Sequence, residues 1–416
     1  MMIEDTNTTG RTWALLLSLI AYLCAGTVST LVSVYLPVIV NELKQGSATE
    51  QDLGSVGAYV NAIFLYGWMI GGIVLGLASD RLGRKKVLAF STAIYGIATL
   101  MIVFVSSWQV LMLYRFLAGF GIGGTLVVST VMISEIWPEK SRAIVQGILS
   151  VSFPVGIVAT GGLNLIFIDW RQSFWLGIIP IIVALAMIFT TQESEKWQGD
   201  EINHHEIKNL FDPLIRKSLL SGALIFGSVL IGLWGLFSWM PTWIQSILPP
   251  GYDGGQERGI TMMLLGSGGI TGGVLSGFII RTLGNRKTLM IAFAGLIIMS
   301  CLLFLTNTQF SKIIYAETVF IALFFGISQG ALSNYIPELF PVSVRASATG
   351  FCFNIGRFFT ATAVFFVGTL VTILGGFSHA LLLFSITFII AYVATYQTKD
   401  IQQMHPNVLL KADDVN

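Results

Sequence analysis

Charge is the scarcest property of this 416-residue chain: Asp, Glu, Lys and Arg together make up 11% of it, where a soluble domain carries about a quarter. That shortage excludes a largely water-facing surface. A net charge of +1 says nothing about nucleic acid, and with no basic cluster interleaved with aromatics none is expected as a partner. The three cysteines, Cys24, Cys301 and Cys352, all lie in apolar runs, which excludes a disulfide framework and reads as free thiols packed as small hydrophobes. His204 and His205 stand side by side but fall short of a metal-ligand set. There is no Gly-rich phosphate loop and no nucleophile with a base placed to serve it, so neither an enzyme nor an ATP-driven pump is expected, and no cofactor is implied. The opening stretch carries Glu4 and Asp5 and no basic segment, so the first apolar run reads as a retained helix, not a signal peptide.

What the chain does have is length of apolar sequence. Hydrophobic residues account for 54% of it, and runs long enough to cross a bilayer, roughly 20 residues each, fall at 13–40, 54–78, 87–106, 108–134, 143–165, 173–191, 218–245, 260–280, 288–306, 313–336, 346–371 and 378–396. This predicts an all-α membrane protein of twelve spans. The expected organisation is an N-terminal tail at 1–12, a six-helix bundle at 13–192, a linker at 193–217, a second six-helix bundle at 218–396 and a tail at 397–416. With both ends on one side, 17 Lys and Arg fall on that side against four (Lys44, Arg171, Arg258, Lys312) on the other. The positive-inside rule then puts both termini and the linker in the cytoplasm.

The chain also repeats itself. Gly76–Lys86, with Asp80, Arg81, Gly83 and Arg84, returns at Gly277–Lys287 at an offset of 201 residues. Glu135-Ile-Trp-Pro138, followed by Arg142, returns as Glu338-Leu-Phe-Pro341, followed by Arg345, at an offset of 203. Two motifs returning in order at nearly one offset indicate duplication of half the chain, and parallel repeats of this size in so apolar a sequence predict a two-lobed transporter with its site between the lobes.

The Gly76…Asp80-Arg81-x-Gly83-Arg84-Lys85 segment resembles the loop signature of the major facilitator superfamily, and Leu111-x-x-x-Arg115-x-x-x-Gly119-x-Gly121-x-Gly123-Gly124 resembles its fourth-helix motif. The resemblance covers 13–396 and implies that superfamily's fold and alternating access. Within it, Asn334–Ala346 and Gln192–Trp197 resemble the sugar-porter and organic-acid symporter branches, the latter including sialate and aromatic-acid carriers. The chain departs from the aromatic-acid pattern at Ala25–Thr30, where paired aspartates would stand, and its second loop motif has Arg281 in the place of Asp80. Helix 5 also lacks a clean antiporter pattern, which favours import over export.

Charges inside a bilayer are costly and usually face the bundle interior. Arg357 lies about eleven residues into the eleventh span, near mid-membrane, with Asn354 on the same face. Arg115 is the equivalent embedded base of the first half. A guanidinium matches a carboxylate with paired hydrogen bonds, so Arg357, with Arg115, is the expected anchor for an anionic substrate. The open alternative for Arg115 is a brace for helix packing or a tuner of a proton site. Gln329, Asn354, Trp234, Trp239, Tyr59, Asn61 and Tyr66 could complete the site. Glu317 either carries a coupling proton or reaches for the interface. Asp80, Arg81, Arg84, Glu135, Arg142, Glu338 and Arg345 read as an inner gate of salt bridges that forms when the cavity faces outward, Glu135 pairing with Arg142.

The function expected is proton-coupled uptake of a small organic anion across a bacterial inner membrane by a monomer, with an acidic sugar such as sialate first and another carboxylate second. A neutral-sugar porter is the alternative within transport. A non-transporting sensor or receptor is the alternative outside it.

Overall fold

The computed structural model describes residues 2–194, 213–340 and 344–398. The adjacent His204 and His205, most of the linker with Trp197, Pro341 and the C-terminal tail lie outside the described residues. All regular structure among the described residues is helical: α1 (Met2–Leu43), α2 (Glu50–Leu82), α3 (Arg84–Met101), α4 (Trp108–Ile136), α5 (Glu139–Ile166), α6 (Trp170–Thr190, with a 3-10 turn at Trp175–Gly177), α7 (Pro213–Ser246), α8 (Gly255–Leu283), α9 (Asn285–Thr306), α10 (Ile313–Glu338), a broken α11 (Arg345–Phe365 and Val367–Leu374) and α12 (Phe377–Gln397). Eleven are long and apolar enough to cross a membrane, and α11 makes the twelfth if its two pieces, bent by 43°, are one span.

The helices start and stop where local chemistry directs. Thr49 and Asp52 form a reciprocal cap at the head of α2, and Ser107 caps α4. The reversal between α2 and α3 occurs at Gly83, at φ 98°, and its duplicate between α8 and α9 at Gly284, at φ 79°. Both occupy backbone space that carries no penalty only for a residue without Cβ. Two boundaries differ from those read in the sequence. α1 begins at Met2, ahead of Trp13, and α11 breaks at Phe366. No proline marks that break, so the local sequence carries no warning of it. The piece beyond it sets Gly368 so closely on Gly54 of α2 that a Cβ on Gly368 would lie 2.6 Å from the Gly54 backbone.

Within each lobe, glycines let helix backbones touch. A Cβ at Gly71 would stand 1.9 Å from the carbonyl oxygen of Phe120, and one at Gly123 would stand 2.1 Å from that of Trp68, so α2 and α4 interlock along their length. The second half repeats the device: a Cβ at Gly272 would stand 2.0 Å from the Leu323 carbonyl oxygen and one at Gly326 2.2 Å from that of Gly269, so α8 and α10 interlock as well. Small residues at such crossings are the usual means of close packing where lipid offers no hydrophobic drive between helices.

The two lobes meet at the face opposite the chain ends. There Gly54 packs on Gly368, Gly57 on Trp239, and Gly161 on Gly259. Tyr66 of α2 hydrogen-bonds Thr362 of α11 at 2.8 Å. At the terminal face, where α1 begins and α12 ends, the lobes part around a cavity.

The glycine interlock predicts a sharp contrast between neighbours. Gly71→Ala should destabilise the protein by about 1–3 kcal/mol, the usual range for overpacking. Gly72→Ala, whose Cβ would find its nearest neighbour at 3.6 Å, should be close to neutral. Thermal melts of the two purified variants check this, and equal melts would contradict the interlock.

Candidate functional site

The cavity between the lobes holds about 1020 Å³. Its walls come from α1, α2 and α5 of one lobe and α7, α8, α10 and α11 of the other, chiefly from the halves of α5, α8 and α10 nearer the terminal face. The lining is mostly apolar and aromatic. Trp68 and Trp234 meet edge to face across the lobe boundary at 5.4 Å between ring centroids, and Trp68 lies 5.7 Å from Phe153. Polar side chains are few: Thr30, Gln329, Ser333, Arg357, Thr360 and two serines of α5.

Of the residues singled out from the sequence, Arg357, Gln329 and Trp234 come together on this cavity. Asn354 stands beside Arg357, one turn earlier, with its Oδ1 3.4 Å from the guanidinium Nη1 that donates to it. The Nε2 of Gln329 is buried without a hydrogen-bond partner among the described residues.

The others sit elsewhere. Arg115 is 1% exposed and points at α1, donating to the carbonyls of Val28 at 3.0 Å and Ser29 at 3.3 Å, with its guanidinium carbon 3.8 Å above the Phe64 ring. These bonds brace α4 against α1. Trp239 is fully buried against Phe377 and Gly57, Asn61 is buried in α2, and Tyr59 meets Phe365 with tilted rings across the sealed face beside the Tyr66–Thr362 bond. Glu317 accepts from Asn307 Nδ2 at 2.7 Å, a tie between the end of α9 and α10, and does not line the cavity.

The charges at the terminal face are spent inside each lobe. Arg84 donates to Asp80 at 2.5 Å and Glu135 at 3.1 Å, while its own backbone N–H donates to Glu193 at 2.8 Å. Glu135 therefore pairs with Arg84 here. Arg142 instead donates to the Trp137 carbonyl at 3.3 Å and Arg345 to the Phe340 carbonyl at 3.3 Å, the same five-residue return in both halves. Glu338 accepts from Asn285 at 2.8 Å, and Arg81 is exposed in the last turn of α2.

Two site features escaped the sequence reading. Trp68 was hidden in an evenly apolar α2, although a tryptophan away from both span ends is a signal, since interfacial tryptophans sit at the ends. Arg258 looked like one of four outward bases but is 2% exposed. It donates Nε to the Val34 carbonyl of the other lobe at 3.1 Å and Nη1 to the Asp253 carbonyl at 2.7 Å and to Gln245 Oε1. It is a hydrogen-bonded strap across the closed face. Trp170, at the start of α6, is also turned inward, its Nε1 donating to Glu42 at 2.6 Å.

The strap generates a prediction. Arg258→Ala should favour opening at the sealed face, so a cysteine at Leu36, buried at the seal against Gly57, should react several-fold faster with a polar maleimide in a background lacking Cys24, Cys301 and Cys352. An unchanged rate would mean that the glycine contacts alone hold the seal.

Comparison with known proteins agrees with this architecture. A cis,cis-muconate transport protein of Acinetobacter baylyi is 29% identical over 377 residues, 86% of this chain and 88% of that one. The sialic acid transporter NanX of Escherichia coli is 26% identical over 296 residues, 69% and 71% of the two chains. The xylose transporter XylE from E. coli, in its inward open conformation, superposes with a TM-score of 0.75 over 94% of this chain and 98% of that one at 18% identity, a likeness of fold. The Major Facilitator Superfamily model matches residues 18–363. The chain is a multi-pass membrane transporter, not an enzyme, and it belongs to the major facilitator superfamily.

Proposed function

We propose that this protein takes up a small organic carboxylate across the bacterial inner membrane by alternating access, with its termini in the cytoplasm and Arg357 as the anchor for the carboxylate. One observation carries the reading: an arginine at mid-span faces a cavity that is otherwise mostly apolar. A guanidinium there has no structural task comparable to the brace made by Arg115, and it presents paired donors of the geometry a carboxylate accepts. With the termini inside, the cavity faces the cytoplasm and the glycine-sealed face is the outer gate.

The lining also bears on which carboxylate. A polyhydroxylated acid such as sialate, or a neutral sugar, needs a partner for each hydroxyl stripped of water. The few polar groups here, and the Trp68–Trp234 pair, suit a flat unsaturated or aromatic acid better. Relatives named for carrying cis,cis-muconate, gentisate and benzoate accord with that order, while one named for sialic acid keeps the acidic sugar as second choice. Glu317, which the sequence offers either as a proton carrier or as a side chain reaching for the interface, is tied to Asn307 away from the cavity. We therefore place charge balance on the transported anion and Arg357.

Uptake of labelled cis,cis-muconate, benzoate, sialate and xylose into proteoliposomes tests the reading. A carboxylate should be taken up and xylose should not. Arg357→Gln should lose about tenfold or more of that uptake, the scale of removing one partner of a desolvated charge pair, and Glu317→Gln should keep most of it. Full uptake by a folded Arg357→Gln variant would contradict the anchor. Binding without counterflow of any of the four would favour a sensor.

A further inference from the structure

Resting on the carboxylate reading, we propose that this carrier is an exchanger: it cycles fast when a carboxylate crosses in each direction and slowly when it must return empty. Little around Arg357 can balance its charge. Its hydrogen-bond partner is the neutral amide of Asn354 on its own helix, at 3.4 Å. Among the described residues no aspartate or glutamate lines the cavity. The Tyr22 hydroxyl of α1, in the other lobe, is neutral and supplies no counter-charge. That hydroxyl is already committed, donating to the Leu126 carbonyl at 2.7 Å and lying 2.6 Å from Thr130 Oγ1.

While the cavity is open, water can solvate the guanidinium. To expose the site on the other side, the lobes must close over it, and the closing walls are apolar rings and aliphatic chains. Enclosing an unpaired cation in such a space is strongly unfavourable, whereas enclosing one paired with a carboxylate is not. A carrier with its own acid beside the arginine could supply a counter-ion for the empty return. Here the substrate is the counter-ion. The loaded form therefore crosses readily and the empty form does not, which is the condition for exchange. The carboxylate enters and leaves unchanged, no bond is made or broken, and a one-for-one swap of like anions moves no net charge.

The test compares two sets of proteoliposomes holding the full-length protein. One is preloaded with unlabelled cis,cis-muconate. The other is empty and given an inward proton gradient. The initial rate of labelled cis,cis-muconate entry should be at least about tenfold higher in the preloaded set, equivalent to about 1.4 kcal/mol, and a protonophore should leave that rate unchanged. Asn354→Asp would place a carboxylate within reach of Arg357. It should bring the ratio of the two rates towards one while weakening apparent affinity, a change that a merely structural residue would not produce. Equal rates in the two sets for the wild-type protein would overturn the exchange proposal and leave the carboxylate reading standing. No movement of label even into preloaded vesicles, with benzoate equally inert and the protein folded by thermal melt, would overturn the carboxylate reading and the exchange proposal with it.

Discussion

Where α2 crosses α4, carbonyl oxygens of one helix lie where the Cβ atoms of the other would be, and the same contact recurs between α8 and α10. Backbones this close cannot slide past one another without losing packing along several turns, and close-packed interiors switch between discrete arrangements and do not deform smoothly. Each lobe therefore contains a stiff helix pair built by the same rule. Movement is left to the boundary between lobes, where α2 meets α11 and α5 meets α8. At that boundary glycines again make contacts, Gly54 with Gly368 and Gly161 with Gly259 at the sealed face. A few crossed hydrogen bonds reinforce them, from Arg258 to Val34 and between Tyr66 and Thr362. The seal is thus made of contacts that form and separate as units, which is what a rocking carrier requires.

The arginines show how a chain so poor in charge assigns each one. Arg84 is held by Asp80 and Glu135, Arg115 by two carbonyls of α1, and Arg258 by carbonyls on both sides of the lobe boundary. Arg142 and Arg345 close matching turns in the two halves. In each case the surrounding chain supplies oxygen acceptors, which is how buried cations are retained at tolerable cost. Among the described residues, Arg357 has only the Asn354 amide. A cavity wall with one unspent guanidinium, one unspent amide donor on Gln329 and a tryptophan pair across the boundary is chemically incomplete until an anion enters it.

Much of the architecture was legible in the sequence because apolar run length and duplication report directly on a membrane fold. The spans, the two halves and the paired glycine turns at Gly83 and Gly284 all follow from pattern. Arg357, Gln329 and Trp234 could be placed because a polar or aromatic residue at mid-span must face somewhere other than lipid. The same logic could not separate Arg115 from Arg357, since an arginine braced on carbonyls and one facing a cavity both read as a lone base within an apolar span. Nor could it separate Tyr59, Tyr66 and Trp239 from true lining residues, because a seal and a cavity sit on the same helix faces a few turns apart. The break in α11 and the crossing bond of Arg258 depend on what the other lobe presents, and nothing local encodes that.

The central claim is that a carboxylate completes the cavity at Arg357. The most direct measurement is an experimental structure of the protein saturated with cis,cis-muconate or benzoate. The account predicts the carboxylate within hydrogen-bonding distance of the Arg357 guanidinium, with the unsaturated part of the molecule against Trp68 and Trp234. A ligand bound with Arg357 unengaged, or seated on Arg115 between α1 and α4, would contradict it.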